Sequence, residues 1–221
     1  MPSSSHDVEP VTFTTEDGVR LEGEWRLDVA DPYGSPVICH PHPKHGGSKD
    51  HPLLWAIRNE LANRGFGVIA FDFRGVMGSG GTYGGGRAEL ADARAAVELA
   101  RSRAPWPTLL CGWSFGASVA LREALDDDRV DALALVGIPL RFGDLDLPAL
   151  PVAAELRVLG RRPVLLLAGE NDGYCPGDEL KAFGAGFPRA ETTVLAGTDH
   201  YFWRREREAA TVIGEFASRI G

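Results

Sequence analysis

Cysteine is scarce in this chain, with three in 221 residues, an odd number without framework spacing. That excludes a scaffold held by disulfides and predicts reduced thiols, the usage of a cytoplasmic protein. Positive charge is also short. Lys and Arg number 23 against 31 Asp and Glu, a formal net charge of -8, so nothing is in excess to neutralise a phosphate backbone and nucleic acid is not an expected partner. Local basic runs such as Arg204–Arg207 are interleaved with Glu206 and Glu208 and read as a solvated helix face. No apolar run approaches the ~18 residues of a membrane span. Residues Met1–Pro10 carry neither a basic n-region nor an apolar h-region, so neither membrane association nor export is expected. Common cofactor signatures are missing too. The glycine cluster Gly78–Gly86 lacks the Lys-Ser/Thr ending of a P-loop and the position of a dinucleotide fingerprint, and reads as a flexible rim loop from which Tyr83 could touch a ligand.

What remains is organised as short apolar runs alternating with helical patterns. Val11–Thr14 and Val19–Leu27 are rich in β-forming residues and flank the turn signal Glu16-Asp17-Gly18, which predicts an antiparallel hairpin. The runs Val37–Cys39, Gly67–Phe73, Thr108–Cys111, Ala132–Gly137, Val164–Ala168 and Thr192–Leu195 are near-continuously apolar, as strands buried on both faces are. Helical patterns fall between them at Pro52–Arg64, Arg87–Arg103, Phe115–Leu125, Asp178–Phe183 and Tyr201–Ile220. In the second, Leu90, Ala93, Val97 and Ala100 recur at helical spacing while Glu89, Asp92, Arg94, Glu98 and Arg101 are expected to face out. The alternation predicts an α/β fold: a mostly parallel, doubly wound sheet with an N-terminal hairpin and helices on both faces. Residues 9–221 are expected to form one domain after a disordered lead over residues 1–8. Between Pro139 and Val164 there is room only for a loop and one helix, Val152–Leu159, so an open site without a large cap is predicted.

The chemistry concentrates at Gly112-Trp113-Ser114-Phe115-Gly116, which follows the apolar run ending at Cys111 and opens a helical pattern. In a strand–turn–helix elbow the central serine is held in a strained conformation with Oγ exposed, and the flanking glycines remove clashing side chains. A serine hydroxyl needs a base within hydrogen-bond reach. His200, after the last predicted strand, is the candidate, and Asp172 is the acid that would orient it. Glu170, Asp178 and Asp199 compete for that role, although Asp199 adjoins His200 and would struggle to fold back onto its ring. The order Ser, Asp, His is the one an elbow-bearing sheet uses. An oxyanion would be held by the backbone N–H of Phe115 and by a second donor from the loop His40-Pro41-His42-Pro43, where His42 alone between two prolines has an N–H. Trp113, Tyr83 and Trp203 are candidate substrate contacts. His40, His42, His45 and His51 raise a metal-site rival, but their spacing matches no helix-borne pair and prolines interrupt the run; His40 is expected to brace the loop by a hydrogen bond. Asp72 and Arg74 are expected to pair or cap locally. Cys39 and Cys111 read as inert core residues, and Cys175, beside Asp172, as the thiol whose reactivity merits a check.

The hairpin, the His40–Pro43 loop with Gly46-Gly47, the turn Asp72-Phe73-Arg74-Gly75 with Gly78-Ser79, the elbow, and the placement of Asp172 and His200 together resemble the α/β-hydrolase superfamily over nearly the whole chain. Within it, the chain is similar to the small lidless branch of dienelactone-hydrolase-like and serine-esterase-like proteins. The resemblance implies Ser114 as nucleophile, His200 as base, Asp172 as acid, and Phe115 and His42 as backbone donors. Two positions depart from it: dienelactone hydrolases carry cysteine where this chain has Ser114, and His-Pro-His-Pro stands where a His-Gly pair is more usual. The expected activity is hydrolysis of an ester, thioester or amide of a small acyl substrate through an acyl-enzyme, without cofactor or metal. Its rival is a non-catalytic ligand- or partner-binding protein on the same fold; peptidase, acyltransferase and metal-dependent hydrolase activities stand further off. Oligomeric state is not legible.

Overall fold

Gly18 takes the left-handed φ of 83° that the turn after Asp17 requires, and the chain reverses there. In the computed structural model, which describes residues 7–104, 106–141 and 147–220, strands β1 (Asp7–Thr14) and β2 (Arg20–Leu27) pair antiparallel on either side of it. Asp7 pairs with Leu27 and Val8 with Arg26, so these two residues of the expected lead belong to β1. The rest of the expected lead lies outside the described residues.

Six further strands complete an eight-stranded sheet: β3 (Val37–Cys39), β4 (Val68–Phe71), β5 (Leu109–Trp113), β6 (Ala132–Val136), β7 (Val164–Gly169) and β8 (Ala190–Leu195), in the order β1-β2-β4-β3-β5-β6-β7-β8. Strand β4 runs antiparallel to β2, while all pairs from β4 to β8 are parallel. The helices are α1 (Pro52–Asn63), α2 (Glu89–Arg103), α3 (Phe115–Asp126), the one-turn α4 (Ala153–Leu156), α5 (Gly177–Gly184) and α6 (Glu206–Ala217). Alternate strand residues feed two cores. Val164, Leu166 and Ala168 of β7 join the apolar layer that includes α2, α3 and Leu180 of α5, whereas Leu165 and Leu167 join the layer under α1 and α6. A period of two with both phases apolar is what a doubly covered parallel strand requires. From β3 the chain winds to β4 on one side, then returns to β5 on the other. The loops leaving β3 and β5 therefore part company above adjacent strands, at the switch point where such sheets form their crevice.

Three expectations are corrected. Glu89 and Asp92 face inward and are fully buried. Glu89 accepts the backbone N–H groups of Gly84 and Gly86 at 2.7 and 2.8 Å; Asp92 accepts the N–H of Arg74 at 2.9 Å and its guanidinium at 2.9 and 2.7 Å. The loop before α2 folds back over its first turns, and polar groups it buries need partners there. Arg74 is accordingly tied to a helix distant in sequence instead of pairing locally. The last helix starts at Glu206, not Tyr201, because Phe202 and Arg204 have φ of 55° and 61°, values that cannot propagate a helix. Between β6 and β7 the described residues carry only α4 and a 3-10 turn at Arg157–Leu159, and none of them forms a lid over the strand ends. Among the described residues no helix is long and apolar enough to cross a membrane.

Candidate active site

Strand β5 ends at Trp113, and the next residue, Ser114, takes φ 56° and ψ -118° before α3 begins. A non-glycine residue there is strained, and tight packing around the turn holds it. A Cβ on Gly112 would lie 2.2 Å from the carbonyl oxygen of Gly116, and a Cβ on Gly116 would lie 2.2 Å from that of Cys39. Both glycines are thus required for α3 to approach β5 and β3 this closely.

His200 and Asp172 reach the same point from the ends of β8 and β7. Ser114 Oγ lies 3.0 Å from His200 Nε2, and His200 Nδ1 lies 2.8 Å from Asp172 Oδ2. The carboxylate accepts from Nδ1–H, which leaves Nε2 as the acceptor for the serine hydroxyl. The other carboxylate oxygen, Oδ1, accepts the N–H groups of Tyr174 and Cys175, both at 2.9 Å, so the acid is held at both oxygens. Glu170 instead accepts the N–H of Gly197 at 2.8 Å, and Asp199 that of Tyr201 at 2.9 Å; Asp178 is in an ion pair with Lys181 at 3.5 Å. Trp113 donates Nε1–H to the carbonyl of His200 at 3.1 Å, pinning the histidine's backbone.

Phe115 is the first residue of α3, so its N–H has no acceptor within the helix. The His42 carbonyl accepts from His45 and Gly47 N–H at 3.0 and 3.1 Å; its imidazole accepts from Lys44 N–H at 3.2 Å through Nδ1 and meets Tyr83 Oη at 3.1 Å through Nε2. The rings of His42 and Phe115 lie 5.1 Å apart. Beneath them His40 accepts the N–H of Phe73 at 3.0 Å and donates to the Pro41 carbonyl at 2.6 Å. It braces the loop as expected, and burial lowers its pKa to about 4.

A cleft of about 120 Å³ opens over Ser114, lined by the loop after β3, by His51 and Trp113, and by Tyr174 and Tyr201. Among the described residues that line it, none is a carboxylate, a lysine or an arginine.

The model of an alpha/beta hydrolase domain matches residues 42–219. The chain belongs to the alpha/beta hydrolase family. Solved structures agree. An alpha-beta serine hydrolase homologue from Coxiella burnetii superposes with a TM-score of 0.80 at 26% identity, covering 94% of this chain and 96% of that one. A lidless serine hydrolase from Xanthomonas campestris gives 0.79 at 24% identity over 99% and 96%. The esterase Pf2001 of Pyrococcus furiosus gives 0.83 at 22% identity over 98% and 94%.

Not every expected contact of the hydrolase reaches the cleft. Trp113 both packs and lines it. Trp203 is 62% exposed and stands outside the lining, and Tyr83 meets the loop through His42 instead of the cleft. Sequence reading missed Tyr174, Tyr201 and His51 as lining residues; Tyr174 and Tyr201 sit two and one residues beyond Asp172 and His200, and that adjacency was the available signal. Their rings lie 4.9 and 5.6 Å from that of His200. Gly137 was missed as well: at φ 52°, a Cβ on it would lie 3.1 Å from His200 Cε1 and 3.3 Å from Asp172 Oδ2. All three cysteines are buried, and burial raises the Cys175 thiol, which disfavours the reactive thiolate. Among the described residues no group of three or more His, Cys, Asp or Glu side chains is arranged to hold a metal ion; both ring nitrogens of His40 and of His42 are already engaged.

Proposed function

We propose that this hydrolase cleaves a carboxylic ester of a small acyl substrate through an acyl-enzyme on Ser114. The observation that carries the reading is the unbroken hydrogen-bond line from Ser114 Oγ through His200 to Asp172, at 3.0 and 2.8 Å, at the foot of the cleft. His200 Nε2 takes the hydroxyl proton as Oγ attacks the carbonyl carbon, and the resulting imidazolium is stabilised by Asp172. The oxyanion is held by the N–H groups of Phe115 and His42, each such donor worth about 10²- to 10³-fold in rate. Collapse of the intermediate breaks the C–O bond, and His200 returns its proton to the leaving alcohol. Water then repeats the sequence on the acyl-enzyme, releasing the acid and restoring Ser114.

An ester is favoured over an amide because an alcohol leaves with less assistance from a shallow site, and a thioester is open to the same chemistry. The small cleft, with no carboxylate, lysine or arginine among its described lining residues, supports a short, uncharged acyl group. The test is intact mass after incubation with a fluorophosphonate, which phosphonylates a serine activated by its base. One adduct on the wild type and none on Ser114→Ala is expected, with turnover of activated esters lost in the same variant. Absence of adduct and turnover from both proteins would reject the reading in favour of a ligand-binding role for the fold.

A further inference from the structure

His51 presents a polar group to the cleft that nothing in the catalytic line uses. It is the N-cap of α1, and its Nδ1 accepts the N–H of Leu53 at 3.3 Å. A neutral imidazole that accepts through Nδ1 carries its proton on Nε2. That nitrogen makes no hydrogen bond among the described residues, although His51 is only half-buried and lines the cleft beside Ser114. Burial lowers the imidazole's pKa against the weaker opposing pull of Glu206, which favours the neutral form. The ring is fixed in place, 4.4 Å from that of Trp113, whose Nε1–H is already committed to His200. Among the described residues no carboxylate lines the cleft, and an oxygen of a bound ligand that displaces water there would meet this N–H as an unused donor.

We infer that His51 is a specificity-determining residue which donates Nε2–H to a second oxygen of the substrate, so that the preferred esters carry a keto, ether or further ester oxygen a few bonds from the scissile carbonyl. The inference rests on the ester-hydrolase reading and narrows its substrate class. A site built to donate to a substrate oxygen disfavours an analogue without it, because the donor is then desolvated with no partner.

Matched substrates test this. On the acyl side they are the 4-nitrophenyl esters of pentanoic, 3-methoxypropanoic and 4-oxopentanoic acids; on the alcohol side, butyl and 2-methoxyethyl acetates. The wild type should prefer at least one oxygen-bearing member over its carbon analogue by about 5- to 10-fold in kcat/KM. Two variants separate specificity from helix capping. His51→Asn keeps an acceptor for Leu53 N–H but cannot reach the cleft, and should bring the ratio close to one. His51→Gln places an N–H near the position of Nε2 while giving up the cap, and should retain a preference. A wild type without preference, or a preference kept by Asn and lost by Gln, would overturn the inference while leaving the ester-hydrolase reading intact. No turnover of any ester together with no fluorophosphonate adduct would instead reject that reading, and this inference with it.

Discussion

Gly137 packs against His200 and Asp172 without lining the cleft. It lies at the end of β6 behind the imidazole, where an added methyl would stand 3.1 Å from His200 Cε1 and 3.3 Å from Asp172 Oδ2, on a backbone with φ 52°. Both effects push the same way: the methyl crowds the ring, and the left-handed backbone resists a side chain. Gly137→Ala is expected to lower kcat by about 10²-fold, the cost of misplacing a reacting group by about 1 Å. KM should change little, since Gly137 is outside the cleft lining. Steady-state kinetics on an activated ester reads both; a fall confined to KM would show that the imidazole tolerates the methyl. At this scale the sequence was legible where chemistry leaves a local mark. Ser114 was flagged by its flanking glycines, and Asp172 and His200 by following apolar runs in the right order. Gly137 and His51 leave no such mark, because their importance comes from neighbours brought close only by folding.

The elements were legible wherever apolar periodicity decides them, and less so wherever backbone strain or a buried polar partner does. Strand β3 spans the predicted Val37–Cys39, and α1 and α3 differ from expectation by one residue each at their C-terminal ends. The misreadings share a cause. Glu89 and Asp92 looked solvent-facing because charge is normally exposed, yet each is buried against donors supplied by the preceding loop. Tyr201–Arg205 looked helical by composition, but left-handed Phe202 and Arg204 turn the chain so that Phe202 is buried. The contact between α3 and β3 is the element-scale feature on which the site depends. A Cβ at position 116 would meet the Cys39 carbonyl oxygen at 2.2 Å and that of His40 at 2.6 Å. These are backbone atoms and cannot swing aside, so the helix itself must shift. Gly116→Ala should destabilise the fold by about 1–3 kcal/mol, the usual cost of overpacking. It should also separate Phe115 from His42 and lower ester turnover in the fraction that remains folded. Urea unfolding followed by fluorescence measures the first effect; an unchanged midpoint would show that α3 has slack the geometry does not reveal.

For the whole molecule, the switch point is both where the site forms and where the fold's stability is coupled to pH. His40 leaves the end of β3 and joins it to the end of β4, accepting the N–H of Phe73 at 3.0 Å on Nε2 while Nδ1 donates to the Pro41 carbonyl at 2.6 Å. Protonation would put a hydrogen on Nε2 facing the Phe73 N–H, in a fully buried place. Burial lowers the imidazole's pKa from its ordinary 6.5 to about 4. Between those values the unfolded chain binds a proton that the native protein refuses. The stability associated with neutral His40 is therefore complete above pH 6.5 and declines as pH falls toward 4. At about 1.4 kcal/mol per pH unit, the decline over that interval is on the order of 3 kcal/mol. His51, lowered by burial, adds to the same trend. Asp72 and Asp92, whose carboxyls burial raises, act in the opposite sense. All three remain in a His40→Gln variant, so the difference between the two proteins isolates the imidazole. Glutamine can offer both an acceptor and a donor, but it does not titrate. Urea midpoints measured from pH 7 down to pH 4.5 should drop more steeply for the wild type than for His40→Gln, with the curves diverging below about pH 6.5. Parallel curves would mean that His40 becomes protonated without breaking the link between β3 and β4, and that acid sensitivity arises elsewhere in the sheet.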